Sequence, residues 1–283
     1  MKNLIKILLP KNIFFDNFII TLNFFYKHKR IPNKELLNDY WCKIVLSKNI
    51  NSKINQLISD KINVKEYITK KVGQKYCVPT LAIINNINQL KSFKNEKDFI
   101  IKPAHSSGRY IFGKYNLKKN DILNCAKWLN HNFYYSKRER NYKYLKKRII
   151  VEPRVFYPDT PNDYKFFCYK GKVRFIQLDY NRSTKHKRRI YDIEWNRLEF
   201  ITYYSKEIID TSDIKIQKPK LFKEMINIAE KISQEHEFLR VDMYTNDRII
   251  YIGELTLSHG IGCEKFYPKG SELDATKLFF KNY

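Results

Sequence analysis

Apolar and polar positions recur along this chain with two different periods, and each change of period marks an element. In "DKINVKEYITKKVG" (60–73), Ile62, Val64, Tyr67, Ile68 and Val72 fall on one helical face, with Gly73 placed as a C-terminal stop. Pro79 and the apolar run "TLAII" follow, and a polar interval leads to a strand at 98–102. "NDILNCAKWLNHNFYY" predicts a helix with Asn120 as its N-cap and Ile122, Cys125, Ala126, Leu129 and Phe133 on one stripe. "RIIVEPRV" (148–155) reads as a strand. "DYKFFCYKGKVRFIQLDY" (163–180) reads as two strands turning at Lys170-Gly171. "KPKLFKEMINIAEKIS" (218–233) predicts a helix with Pro219 near its first turn. "FLRVDMYTNDRIIYIGELTL" (238–257) predicts a second hairpin, turning at Thr245-Asn246-Asp247. No repeat or low-complexity linker interrupts the pattern. With two antiparallel hairpins in its second half, the chain is α+β rather than a regular alternation of strand and helix.

The opening segment, 1–30, is apolar but is broken by Lys6, Pro10, Lys11 and Asp16. No run reaches the roughly 20 apolar residues that a membrane span requires, and no small-residue cleavage site follows. An amphipathic helix packed on the domain is the plain reading. Peripheral contact with an anionic membrane is the sharper one, since aromatics and lysines also suit an interface.

Composition narrows the classes. At 283 residues and 43% hydrophobic content, the chain can bury a core in one large domain or two modest ones. Its five cysteines are scattered without a CxxC pair, which argues against a disulfide framework or zinc site and fits a reducing compartment. The net charge of +25 favours anionic partners: nucleic acid, membrane surface, nucleotide or acidic polymer. Part of that charge matches the abundance of Lys, Asn and Ile that an AT-rich gene would give. "YYSKRERNYKYLKKR" (134–148) and "NRSTKHKRR" (181–189) read as solvated faces or as single-strand binding surfaces, and neither contains a recognisable nucleic-acid module. The six histidines show no ligand spacing, and no GxSxG is present.

The candidate chemistry sits where apolar strands are interrupted. In "FIIKPAHSSGR", Lys102 stands at a strand end before a small-residue loop. It is either a solvated turn lysine or a point charge for phosphates, with Ser106, Ser107 and Gly108 offering hydroxyls and backbone N–H groups. Lys165 lies in "DYKFFCYKG", as an edge lysine or a second phosphate contact. Glu152 closes "IIVEP" and could accept from a ribose or orient a lysine. Arg240, Asp242 and Glu254 interrupt the second hairpin. Buried acids need pairing or a metal, and two on one hairpin point to Mg²⁺, with internal ion pairs as the alternative. A three-residue turn at 245–247 puts both acids on one face, yet leaves Glu254 four positions beyond the residue facing Asp242, roughly 13 Å along an ideal strand. A bulge at Gly253 or strong twist must close that gap.

Taken in order, "SDKINVKEYITKKVG", "FIIKPAHSSGR", "RIIVEP", "DYKFFCYKGKVRFIQLD", "YDIEWNRL" and "LRVDMY…YIGELTLSHGIG" resemble the ATP-grasp ligases. The match is to the TupA-like branch associated with teichuronopeptide, capsule and other surface-polysaccharide synthesis, from about Asp60 to Pro268. The resemblance implies an ATP-grasp fold with ATP bound between two α+β subdomains. These would be a small one at about 80–150 and a large one at about 151–283, within 59–283, preceded by a mainly helical segment at 1–58. It further implies that Lys102 and Lys165 hold ATP phosphates and that Ser106, Ser107 and Gly108 close over them. Glu152 would lie beside adenine and ribose, Asp242 and Glu254 would hold Mg²⁺, and Arg240 would stand near the transferred phosphoryl group. Where many ATP-grasp enzymes place a metal-binding Asn, this chain has Thr256. The implied activity is ATP-dependent joining of a carboxylate to an amine through an acyl phosphate. The expected partners are an acidic sugar or polysaccharide precursor and an amine or amino acid, with no specific nucleic acid. The expected location is the cytoplasm, including the inner face of the membrane. Rival readings are a glycosyltransferase or accessory protein of polysaccharide synthesis, and a non-catalytic polyanion binder.

Overall fold

The chain divides into two compact units, Met1–Asp16 with Lys48–Asp159 and Asn17–Ser47 with Thr160–Tyr283. The structure, a computed structural model, describes residues 9–115, 117–158 and 160–281. Residues 1–8 of the opening apolar segment therefore lie outside the described residues. In chain order come helices α1 (Ile13–His28), α2 (Leu37–Leu46), α3 (Lys53–Ser59) and α4 (Val64–Val72). Next are β1 (Ala82–Ile84), α5 (Ile87–Ser92), β2 (Asn95–Pro103), β3 (Ile111–Tyr115), α6 (Lys119–Asn130), α7 (Tyr134–Lys137) and β4 (Ile149–Pro153). Then follow β5 (Asp163–Tyr169), β6 (Lys172–Tyr180), β7 (Lys187–Tyr191), β8 (Ile201–Tyr203) and α8 (Phe222–Ser233). The chain closes with β9 (Phe238–Thr245), β10 (Ile250–Thr256), β11 (Lys265–Tyr267) and α9 (Glu272–Phe280). The architecture is α+β, with antiparallel strand pairing throughout the named sheets.

The first unit is built on a four-stranded sheet in the order β1-β4-β2-β3. Strand alternation sends Phe99 and Ile101 of β2, with Ile149 and Val151 of β4, into a core shared with Ile84, Leu90 and Cys125. The same alternation turns Ile100 and Lys102 to the opposite face. Helix α6 starts at Lys119, with Lys118 in the extended cap position. Asn120 is thus inside the first turn rather than the cap, alongside Asp121, whose charge suits the helix N-terminus. The helix ends at Asn130, so Phe133 is buried from the loop beyond it. Gly73 ends α4 as the pattern requires, at φ 106°.

The second unit is built on a five-stranded sheet in the order β10-β9-β5-β6-β7. Lys170 and Gly171 both adopt positive φ in the two-residue turn between β5 and β6, the geometry that matches strand twist. Helix α8 begins at Phe222, after Pro219, whose carbonyl accepts from the Phe222 N–H. It buries Phe222, Met225, Ile228, Ala229 and Ile232, with Phe222 against Phe166 on one face of the sheet. The other face carries Phe167, Phe175 and Phe238, packed with Leu37 and Trp41 of α2 and Phe279 of α9. Along that same face the strands change from aromatic to charged. Two residues from Phe167 lies Lys165, and two further lies Asp163.

Candidate functional site

In the first unit, the antiparallel pairing sets Ile100 opposite Glu152 and Lys102 opposite Ile150. Lys102 and Glu152 are therefore diagonal neighbours on one face, and their side chains meet at 2.9 Å. The second carboxylate oxygen of Glu152 takes Lys65 of α4 at 2.6 Å. Lys65 also donates to the Val78 carbonyl and to Thr80 Oγ1. Burial pushes the Glu152 carboxyl up, but Lys102 and Lys65 outweigh it and hold the group below its ordinary range. Past Pro103 the loop is anchored from below. Ala104 bridges the carbonyl of Arg148 and the N–H of Lys61, and His105 is buried with Nε2 donating to the Trp128 carbonyl at 3.1 Å. Ser106 belongs to this floor: it is buried, its carbonyl accepts from Lys61 Nζ, and its hydroxyl has no hydrogen-bond partner. Ser107 is half-buried, and exposed Gly108 turns at φ 71°. Only the last two residues of the expected phosphate loop face outward.

In the second unit, register decides the site. Asp242 pairs with Lys165 across β9 and β5, and with Glu254 across β9 and β10. The turn between β9 and β10 is longer than expected: Ile250 pairs with Thr245, leaving 246–249 as the loop. Tyr251 thereby faces Tyr244, where the expected turn would put Arg248, a shift of three positions. A bulge between Ile252 and Glu254 adds the fourth. Gly253 is the residue left over, and a Cβ there would stand 2.3 Å from the Tyr244 ring. The gap foreseen between the two acids is closed by these two devices together.

One cross-sheet row thus runs Glu254, Asp242, Lys165 and Gln177. Lys165 Nζ donates to Asp242 Oδ2 at 2.9 Å and to Asp163. Arg240 holds Asp242 with Nε to Oδ1 at 2.7 Å and Nη2 to Oδ2 at 2.8 Å, a two-point clamp. Arg240 Nη2 also donates to Thr256 Oγ1, so the Thr256 hydroxyl already accepts a bond from the arginine. Arg240 Nη1 donates to Nδ1 of His259 at 2.8 Å. The proton of His259 therefore sits on Nε2, which lies 3.1 Å from Glu264. Glu264 accepts in turn from Arg188, and Arg188 from its Nε reaches Asp179. Asp163 is fully enclosed, takes Lys165 and Arg182 on Oδ2, and leaves Oδ1 without a hydrogen-bond partner.

These groups set each other's charge. Burial drives Asp242 up, yet Arg240 and Lys165 bring it down to about 2. Asp179 and Glu264 are likewise buried but lowered, Asp179 by Arg188 and Glu264 by His259 and Arg188. Burial pulls Lys165 down, and Asp163 and Asp242 raise it above its ordinary value. Asp163 goes the other way, raised by burial. Burial also pulls His259 below the usual imidazole range. The sign for stability follows. The three lowered carboxyls contribute fully above the ordinary carboxylate range near pH 4 and lose that contribution as pH falls toward 2. Asp163 acts oppositely but is outnumbered. The urea midpoint is expected to drop steeply below about pH 4, and Glu264→Gln to flatten that drop. Equal midpoints for the native chain above and below this range would contradict the assignment.

Asp242 and Glu254 pair directly across β9 and β10, but both oxygens of Asp242 are taken by Arg240 and Lys165, and no group of three or more His, Cys, Asp or Glu among the described residues is arranged to hold a metal ion. Several members of the site escape a reading of sequence pattern. Lys65 lies on a helix with an ordinary solvated face, and His259 and Glu264 lie in a loop without period. Asp163 had a signal: it is two residues before Lys165, as Arg240 is before Asp242, and that spacing puts each pair on one strand face.

A family model described as TupA-like ATPgrasp matches residues 43–276. No curated protein matches the chain. Among solved structures, the chain is similar to D-alanine–D-alanine ligase from Bacillus anthracis, at 15% identity and TM-score 0.44, over 78% of this chain and 65% of that one. It is similar to N5-carboxyaminoimidazole synthetase from Staphylococcus aureus at 12% identity and TM-score 0.39, over 73% and 46%. It is also similar to the ATP-grasp ligase PsnB in complex with precursor peptide PsnA2 and AMPPNP, at 13% identity and TM-score 0.38, over 74% and 52%. The chain spans less than two thirds of the length of each of these structures.

Proposed function

The chain belongs to the TupA-like ATP-grasp family, and from that premise we propose that it uses ATP to join a carboxylate to an amine. The acid would be a uronic-acid-containing surface polysaccharide or its precursor, of the teichuronopeptide or capsule kind, and the amine an amino acid or other primary amine. The observation that best supports this reading is the cross-sheet row of Glu254, Asp242 and Lys165 with Arg240 clamped beside it. Phosphoryl transfer asks a protein mainly to position groups and neutralise charge, and this row supplies both signs in fixed places.

Lys102 and Lys165 would meet ATP phosphates, with Glu152 and Asp163 holding their ammonium groups. Ser107 and Gly108 would approach the phosphates from the loop. Arg240 would face the transferred phosphoryl group with its guanidinium already oriented by Asp242, Thr256 and His259. The acid's carboxylate oxygen would take the γ-phosphoryl group as ADP leaves. The amine nitrogen would then attack the acyl carbon, losing a proton as inorganic phosphate departs and the amide forms.

An ADP-release assay with uronic acids and amino acids tests the reading, with product mass separating an amide from a glycoside. Lys102→Met is expected to lower ADP release on the order of a hundredfold, while Lys65, still paired with Glu152, limits the fall in melting temperature to roughly 3 °C. Failure of every acid–amine pair to release ADP, while ATP still binds, would end the ligase reading.

A further inference from the structure

Helix α1 is apolar on two sides. On one it buries Ile19, Ile20 and Phe24, the last two clustered with Cys42, Val45 and Ile261. Its single acid, Asp16, is also buried, against Arg138 and Tyr134. On the other it exposes Phe14, Phe18, Leu22, Phe25 and Tyr26, at 69, 52, 39, 43 and 56%. At about 100° per residue these five side chains fall within an arc of roughly 120°, and no charged residue of the helix shares it. Charge gathers instead at the ends, with exposed Lys11 before the helix and exposed Lys27 and Lys29 at and after its last turn. A helix on the surface of a protein in water normally turns a polar face outward. Four aromatic rings and a leucine in its place form an apolar stripe of the kind that marks an interaction surface.

The charge selects the occupant. The chain carries +25, and the stripe is bounded by lysines at both ends. A second copy would bring two such charges together, whereas an anionic bilayer satisfies the rings and the ammonium groups at once. No described helix is long and apolar enough to cross a membrane, so the fit is to lying in the surface. We propose that α1 docks on an anionic bilayer, with Phe14, Phe18, Leu22, Phe25 and Tyr26 at the headgroup–acyl boundary and Lys11 and Lys29, which flank the helix, on lipid phosphates. This inference does not depend on the ligase reading.

Co-sedimentation of the full chain with vesicles tests it. The chain is expected to pellet with phosphatidylcholine–phosphatidylglycerol vesicles and to stay in solution with phosphatidylcholine alone. Phe14→Ser/Phe18→Ser/Phe25→Ser changes exposed rings only and is expected to weaken that binding at least about tenfold. Lys29→Glu is expected to weaken it too. Should the triple variant misfold, Tyr26→Trp serves instead: its emission shifts to the blue with anionic vesicles if the ring enters the boundary. The proposal is overturned by equal binding to both vesicle types, by no binding, or by an unshifted Tyr26→Trp emission. It is also overturned if the native chain dimerises through this stripe and the triple variant does not.

Discussion

Asp242→Asn is expected to leave about a thousandth of the native ADP release and to lower the melting temperature by roughly 10 °C. Both effects come from one carboxylate serving two buried cations. Arg240 grips it with two nitrogens and Lys165 with one. An amide of the same shape keeps the volume but removes the charge, so two enclosed cations face each other without their shared partner. Removing one member of a buried ion pair costs about 3–5 kcal/mol. The separation of the two effects lies in the assay: ADP release is measured well below the variant's melting temperature and per folded molecule. A variant with native melting and native turnover would show that Asp242 neither holds the row together nor serves the reaction.

Gly262→Ala is expected to cost roughly 3–5 kcal/mol in urea denaturation, near the top of what single substitutions do. Gly262 sits at φ 66°, and an added Cβ would stand 2.0 Å from the Asn38 carbonyl oxygen of α2. The oxygen is backbone and the Cβ position is fixed by the backbone at Gly262, so neither can swing aside. The neighbourhood is pinned as well: His28 Nε2 bonds the Gly262 carbonyl at 2.8 Å, and the Asn38 amide donates to the Glu264 carbonyl at 3.0 Å. Gly108 provides the comparison, with a similar φ of 71° but open space around its Cβ position. Gly108→Ala is expected to cost only the left-handed backbone term, about 1 kcal/mol. Equal costs at both glycines would show that the close approach to α2 carries no weight. Because the Gly262 loop also carries His259 and Glu264, its displacement would loosen Arg240 at a distance.

Much of this was legible in the order of residues. Interrupted apolar strands pointed to Lys102, Glu152, Lys165, Arg240, Asp242 and Glu254, because alternation leaves few reasons for a charge inside such a run. The need for a bulge at Gly253 was readable from the four-position gap. The change of phase is visible too: apolar residues fall at 250, 252, 255 and 257, and the one step of three is where the strand changes face. The turn length was not legible, since Thr245-Asn246-Asp247 carries turn residues that fit several loops. Nor was the placement of α2 against the large sheet, because periodicity shows that a helix has an apolar face but not which surface will cover it. His259 and Glu264 stayed hidden for a related reason. They act from an irregular loop, where no repeat assigns a facing.

The bulge at Gly253 has an effect beyond the carboxylate it aims. Strand β10 lies at the margin of the five-stranded sheet, and a margin presents unpaired backbone groups that another chain's strand can adopt. An extra residue in that row bends the strand and breaks the even spacing such adoption needs. The residue that sets Glu254 across from Asp242 therefore also makes this margin a poor template for aggregation. A substitution that straightened β10 would threaten solubility as well as the site.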